Sequence, residues 1–484
     1  MGQEISQSVF RPHDFQQFRE RLRIETALLE RWWNEGRFPP APHVAGYEIE
    51  AWLIDADGYP VPRNRDFLER ANERYRELLV FPELARFNIE LNSLPRRLSG
   101  DALAAMHAEL ERSWRASERI AADLGLDVLM IGTLPTAQEA ELSLENMSEM
   151  QRYRALNQQV LRMREGRPLE LNIEGRQPLR TSHRDVMLEA ATTSLQLHLQ
   201  VTPTKAARYY NVAQMVSAVT VAVGANSPWL FGHQLWEETR IPLFEQAVEV
   251  PANTGCDGAE FRRVGFGSGY AEGDLLACFR ENRDCYPPLL PIEVDKYPAA
   301  LAHLRLHNGT IWRWNRPLVG LDDDGSPHLR IEHRVIAAGP SVIDTVANAA
   351  LFYGLITELA ESMREPEADL PFSLARDNFY TAARHGLDAH VVWFDGVRND
   401  LQGLILDELL PRAASGLARL DIDAEDAARF LGVIERRVRT RRTGAWWQRH
   451  CAEMCGAEMP QLVQAYRAHQ RSGLPVHEWP LPGE

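Results

Sequence analysis

Cysteine is scarce in this chain: there are five in 484 residues, an odd number without dense spacing. That excludes a disulfide framework and points to reduced thiols. No apolar run of about 18 residues, the length needed to cross a bilayer, stands out. The N-terminal stretch MGQEISQSVFRPHDF lacks the basic-then-apolar pattern of a secretory leader. A cytoplasmic protein is the expectation, with no membrane partner. Positive charge is also the minority: 53 basic residues face 68 acidic ones, for a net charge of -15. This balance argues against nucleic acid as a partner and favours small-molecule ligands. Internal repeats and low-complexity segments are absent as well.

What is present reads as an α+β chain. At about 150 residues per domain, its length accommodates one large unit or two to three smaller ones. An amphipathic helix is expected over 14–36, stopped by the proline-rich FPPAPH at 38–43. Strands follow at 44–55 and 86–94, then a helix over 101–125 and an apolar strand at 126–135. Residues 133–190 are richer in charge, with a helix over 151–165 and turn signals at EGRP and EGRQP. A strand at 193–201 leads into a small-residue helix, 206–228, whose lack of charge beyond Arg208 marks it as buried. The dipeptide Asn308-Gly309 within 303–317 predicts a β-hairpin, with Arg316 just past its second strand. The turn DDDG at 322–325 precedes a strand over 328–336 and a largely apolar helix over 341–363. Short amphipathic helices fill the chain from about 400 onward. These shifts divide the chain into an N-terminal helical segment (1–43), a strand-rich region (44–395) and a helical C-terminal region (396–484). Strands and helices alternate without a strict βαβ period, which disfavours a doubly wound sheet.

Four of the strands share one peculiarity. Each places two polar residues two positions apart in an otherwise apolar stretch: Glu48/Glu50 in GYEIEAWLID, Glu90/Asn92 in FNIELNSL, Gln196/His198 in TSLQLHLQV, and Glu332/Arg334 in LRIEHRV. Residues i and i+2 of a strand point to the same face. A concave sheet face carrying several carboxylates is costly without a compensating cation, so divalent metal is expected. Taken singly, each pair admits an ordinary reading: a solvated edge strand for Glu48/Glu50, a satisfied core residue for His198, an internal ion pair for Glu332/Arg334. An arginine beside a glutamate on one strand is nonetheless better placed to share a third partner, such as a phosphate with its metal. Other motifs are weaker. Cys451 and Cys455 beside His450 read as helix packing, with no second cysteine pair to make a metal site. Gly265, Gly267 and Gly269 in VGFGSGY lack the strand-then-helix context of a phosphate loop and suit a lid or a plain turn. Val476 to Pro480 reads as a packed tail.

Together the motifs resemble the type 2 glutamate–cysteine ligase family of carboxylate-amine ligases. The resemblance rests on Gly46-x-Glu48-x-Glu50, the Glu90-Leu-Asn strand, Ala225-Asn226-Ser227-Pro228, Glu332-x-Arg334, and Asn378 through Ala389, which cover about residues 44–395 in the family's order. It implies a fold similar to glutamine synthetase, a curved and mainly antiparallel sheet forming a carboxylate-lined funnel. It implies ATP-dependent amide formation through an acyl phosphate, with two to three Mg²⁺ ions, or Mn²⁺, as cofactors. Glu48, Glu50, Glu90, Gln196 and Glu332 would be metal ligands, His198 and Arg334 would face the nucleotide, and Glu50 and Arg334 would be catalytic. Asn92, Arg154, Asn226, Arg240 and Arg316 would contact the substrates, glutamate or a similar carboxylate and a small amine such as cysteine. Two departures stand out: Gln196-Leu197-His198 replaces the His-x-His of many relatives, and Ala337 stands where relatives often carry Asp. Two other functions fit parts of the pattern. A glycoside hydrolase needs only two acids and has no use for Glu332 beside Arg334. A non-catalytic metal-binding or ligand-binding relative should have lost a metal carboxylate, whereas all four glutamates are present. Neither the acceptor pocket nor the oligomeric state is tied to a motif.

Overall fold

Alternation sets the centre of the molecule. In Val44–Ile54 (β1) the side chains of Ala45, Tyr47, Ile49, Ala51 and Leu53 are buried on one face, while Glu48 and Glu50 alternate onto the other. The structure is a computed structural model that describes residues 9–40, 42–251, 253–254, 260–294, 296–454, 456 and 458–483. The first eight residues of the N-terminal segment and Cys455 of the cysteine pair lie outside that set. The other strands of the main sheet are Val80–Pro82 (β2), Asn88–Asn92 (β3), Arg96–Arg97 (β4), Asp127–Leu129 (β5), Ser194–Val201 (β6), Asn315–Leu321 (β7) and Pro327–Ala337 (β8). Their order is β7-β8-β6-β1-β3-β2, with β4 and β5 pairing to the two ends of β1, and every pairing is antiparallel. The sheet curls into a half-barrel. The α+β architecture expected from sequence is the one observed.

The helices that matter for the site are Pro12–Asn34 (α1), Ala102–Asp123 (α2), Gln151–Met163 (α3), Ala206–Val223 (α4), Arg240–Ala247 (α5), Ala302–Asn308 (α6) and Val342–Ser362 (α7). Leu410–Arg419 (α8) and Ala424–Thr440 (α9) follow in the C-terminal region. Helices α4 and α7 back the apolar face of the sheet, and Tyr353 of α7 donates from its hydroxyl to the carbonyls of Gly46 (3.1 Å) and His198 (3.2 Å). No bilayer-length apolar run stood out in the sequence, yet the 21 residues of α7 are long and apolar enough to span one. In the fold this helix is buried against α2, α4, α8 and α9. Its crossing with α8 is made close by Gly354 and Gly416, where an added Cβ would collide with backbone of the facing helix.

The hairpin expected at Asn308-Gly309 is not formed. Residues 302–308 are the helix α6, and Gly309 ends it. Short apolar stretches fit both periods, and here the tertiary partner decides. His303, Leu304, His307 and Asn308 are buried at helical spacing, and Glu25 of α1 accepts from the Leu304 N–H (2.8 Å) while contacting His303 Nδ1 (2.7 Å). That carboxylate satisfies a first-turn amide that a helix leaves open. Between α3 and β6 the turn signals enclose a two-stranded hairpin, Leu169–Glu174 with Pro178–His183.

A buried arginine ties the C-terminal helices to this core. Arg437 of α9 pairs with Asp344 of α7 (2.7 Å) and donates to Asn348 Oδ1 (2.6 Å) and the Val223 carbonyl (3.1 Å). The expected packed tail is present too, with Val476, His477 and Trp479 buried and the Val476 N–H donating to Asp344 (2.9 Å). Removing one member of a buried pair leaves an uncompensated charge. Arg437→Met therefore lowers stability by about 3–5 kcal/mol, read as a shift of the urea unfolding midpoint.

Candidate active site

Antiparallel register assembles the polar pairs. Glu48 lies opposite Asn92 on one side and Gln196 on the other, and Glu50 lies opposite Glu90. His198 lies opposite Glu332, and Glu332 opposite Arg316. Two groups of potential ligands result, each with donor atoms within 4.8 Å of one another: Glu48, His198 and Glu332 in the first, Glu50, Glu83 and Glu90 in the second. In the first, His198 Nε2 is 3.2 Å from Glu48 and 3.8 Å from Glu332.

Arg334 stands between the two groups because β8 bulges there. His333 pairs with Leu197 and Ile336 with Leu195, so Arg334 and Val335 together face Gln196. Such a bulge re-aims a side chain. Arg334 reaches Glu332 at 3.4 Å and donates to the Gln196 side-chain oxygen. The bulge is braced by Arg240, whose guanidinium donates to the carbonyls of Arg334 and Val335, both at 3.3 Å, and pairs with buried Glu238 at 3.4 Å.

The electrostatics of the two groups differ. Burial alone would push Glu48 and Glu332 up. The His198 ring outweighs this at Glu48, bringing it down to about 2, and Arg316 with Arg334 holds Glu332 far below the carboxylate range. In the second group no cation is near enough to win. Burial, then the Glu90 charge, pushes Glu50 up to about 7. Burial, then the Glu50 charge, does the same to Glu83, and Glu90 rises further still. Glu90 Oε1, Asn92 Oδ1 and His198 Nδ1 are buried without a hydrogen-bond partner. Buried polar atoms are normally satisfied, so these orphaned atoms are what a pair of oxygen-preferring cations would complete. The donor set suits Mg²⁺ or Mn²⁺.

Several residues expected at the site behave differently. Gln196 does not offer its oxygen to a metal: that oxygen accepts from Arg334, and Nε2 donates to Glu50 Oε1 (2.8 Å). The orientation is fixed because reversing the amide would set its NH₂ against a guanidinium. Arg316 grips both Glu332 oxygens (2.6 and 2.9 Å), so its fork is turned to that carboxylate. Asn226 is fully buried behind the sheet, donating to the Ala338 carbonyl (2.7 Å) and Tyr466 hydroxyl (2.8 Å) and accepting from Gln448 (2.8 Å), which leaves nothing for a substrate. Arg154 is exposed on α3, whereas the charge of Arg152, two positions earlier, is felt at Glu83. Ala337 is fully buried and pairs with Ser194, whose N–H donates to Glu50 (2.6 Å). Val264–Gly265 of the glycine-rich stretch pairs in parallel with Trp312–Arg313.

Two carboxylates escaped the sequence reading. Glu83 follows Pro82 at the end of the edge strand β2, two residues past Phe81, which pairs with Glu90. Its only signal was that spacing, hidden by the proline. Glu189 sits on a single 3-10 turn, Met187–Ala191, where no strand period could reveal it. Both line a cavity of about 40 Å³ with Glu50, Thr192, Arg240, Phe244, Trp314 and Arg334.

The sequence profile of glutamate–cysteine ligase family 2 (GCS2) matches residues 44–469. The chain belongs to this family of carboxylate-amine ligases. Its fold is similar to that of the glutamate–cysteine ligase from Francisella tularensis solved in complex with AMP, at 11% identity, 90% of each chain and a TM-score of 0.54. More distant are a bifunctional glutathione synthetase from Pasteurella multocida (12% identity, 88% of this chain and 52% of that one, TM-score 0.45) and the complex of the prokaryotic ubiquitin-like protein Pup with its ligase PafA (10% identity, 88% and 71%, TM-score 0.38). No curated protein matches the sequence.

A pH signature follows from the shifts. Glu50 and Glu83, raised from 4.5 to about 7, hold protons in the folded state that the unfolded chain has lost. Their contribution to stability therefore falls as pH rises from about 4.5 through about 7. The depressed carboxylates, Glu48 and Glu332, act oppositely but only below about 4.5, so they do not mask this window. Without metal, the melting temperature falls between about pH 5 and pH 8, and added Mn²⁺ raises it more at the higher pH because metal replaces protons. Differential scanning fluorimetry with and without Mn²⁺ checks both effects.

Proposed function

We propose that this protein is an ATP- and Mg²⁺-dependent ligase joining the carboxylate of glutamate, or of a similar acid, to a small amine such as cysteine. The observation that carries the reading is the placement of Arg334 between two carboxylate clusters of different charge state, in a bulge braced by Arg240. A phosphoryl group in transfer needs charge neutralisation and alignment more than covalent help, and a fixed guanidinium beside two cation sites supplies both. Family membership supports amide formation, and the AMP in the Francisella ligase supports ATP as phosphoryl donor.

In this reading Glu48, His198 and Glu332 hold one ion, and Glu50, Glu83 and Glu90 another. Bound there, Mg²⁺ would neutralise phosphate oxygens and orient them. Arg316 keeps Glu332 ionised and aimed. Gln196 links Arg334 to Glu50, so the two halves of the site share one hydrogen-bonded frame. The substrate carboxylate attacks the γ-phosphorus of ATP, and Arg334 stabilises the charge that builds on the transferred oxygens. The amine then displaces phosphate from the acyl phosphate to give the amide.

The test is ADP and phosphate release from ATP, Mg²⁺ and glutamate, with and without cysteine, followed by mass spectrometry. Release requiring both substrates, with a product lighter than their sum by one water, is the expected outcome. Absence of ATP turnover with any carboxylate and amine pair, in folded and metal-loaded protein, would overturn the reading. Glu50→Ala should abolish turnover, and Arg334→Ala should lower kcat by roughly 10²-fold or more with a smaller change in the KM for ATP.

A further inference from the structure

One half-buried carboxylate at this site has no assigned task. Glu189 belongs to neither ligand cluster, its Oε2 is buried without a hydrogen-bond partner, and among the described residues its side chain forms no ion pair. Its neighbours around the cavity are already engaged. Arg240 is paired with Glu238, and Arg334 with Glu332. Glu50 accepts from the Ser194 N–H (2.6 Å) and from Gln196 (2.8 Å). Glu83 contacts Glu90 within the metal cluster. A carboxylate oxygen buried without a partner is costly unless a cation visits it.

We infer that Glu189 receives the acceptor substrate: it binds the incoming amine as an ammonium and takes from it the proton that must leave before the nitrogen can attack. The inference deepens the ligase reading and rests on it. The cavity's size agrees. At about 40 Å³ it holds a few water-sized groups of about 10–15 Å³ each, room for an amine head but not for a whole amino acid. Phe244 and Trp314 form its apolar side, and the Trp314 ring is fixed by donating to Glu245 (2.8 Å). An ammonium between a carboxylate and aromatic walls is favoured by both. The charges facing Glu189 are Arg334, Glu50, Glu83 and Arg152; burial dominates them and pushes Glu189 up to about 7, which suits a proton acceptor working near neutral pH.

The step balances. The ammonium gives one proton to Glu189, and the freed lone pair forms the C–N bond at the acyl carbon. The C–O bond to phosphate breaks with its electron pair on the leaving oxygen, and the nitrogen's second surplus proton leaves with the phosphate. The products are the amide, hydrogen phosphate and protonated Glu189, which then releases its proton to water.

Hydroxylamine isolates this role, because it is an uncharged amine near neutral pH and intercepts acyl phosphates as hydroxamates. With ATP, Mg²⁺ and glutamate, wild type and Glu189→Gln should form hydroxamate at rates within about threefold of each other. Amide formation with cysteine should fall by about 10²-fold or more in Glu189→Gln. Glu189→Asp, which keeps the charge on a shorter arm, should recover part of that loss. Loss of both reactions together in folded Glu189→Gln, or of neither, would overturn the inference. So would a wild-type protein that forms hydroxamate but accepts no cationic amine among cysteine, glycine and methylamine. A wild type that forms no hydroxamate at all fails the ligase reading itself, and the inference with it.

Discussion

Mutual repulsion among buried and half-buried carboxylates is the constraint around which this protein is built. One face of the central sheet gathers Glu48, Glu50, Glu90 and Glu332, and the edge adds Glu83. Two like charges about 4 Å apart repel by about 4 kcal/mol at an effective dielectric of 20, so such a face cannot be fully ionised and uncompensated. The protein answers with two arginines at Glu332 and an imidazole at Glu48, while the inner cluster is left to hold protons or metal. That asymmetry is useful. The first cluster is charged in advance, and the second would change state with a cation bound there.

Holding this arrangement requires a stiff frame. The helices α4 and α7 back the sheet, and the tight crossing of α7 with α8 through Gly354 and Gly416 locks the rear layer. Arg437 then fastens α9 to the same helix. On the funnel side, the bulge in β8 turns Arg334 toward both clusters, and Arg240 fixes the two carbonyls that the bulge exposes. Gln196 bridges Arg334 and Glu50 through the two ends of one amide.

Much of the site was legible because strand periodicity is simple. Once Glu48/Glu50, Glu90/Asn92, Gln196/His198 and Glu332/Arg334 are seen as i, i+2 pairs, their sharing of a face follows, and the α+β fold with its curved antiparallel sheet follows from the resemblance they carry. What failed to show depends on contacts distant in sequence. The segment 303–308 satisfies a strand and a helix pattern equally, and Glu25, far away on α1, settles it. Arg154 and Arg152 are both near the same motif, and only the rotation of α3 distinguishes them. Asn226 sits in a family motif yet serves the packing between the sheet and the C-terminal helices. Glu83 and Glu189 come from a proline-ended edge and a 3-10 turn, where no repeat announces a side chain's direction.

The central claim is that two separate cation sites complete the carboxylate face. Anomalous X-ray diffraction from crystals grown with Mn²⁺ and a non-hydrolysable ATP analogue tests it most directly. The account predicts one peak bounded by Glu48, His198 and Glu332 and a second bounded by Glu50, Glu83 and Glu90. Crystals with the analogue bound but no manganese peak at either cluster would contradict it.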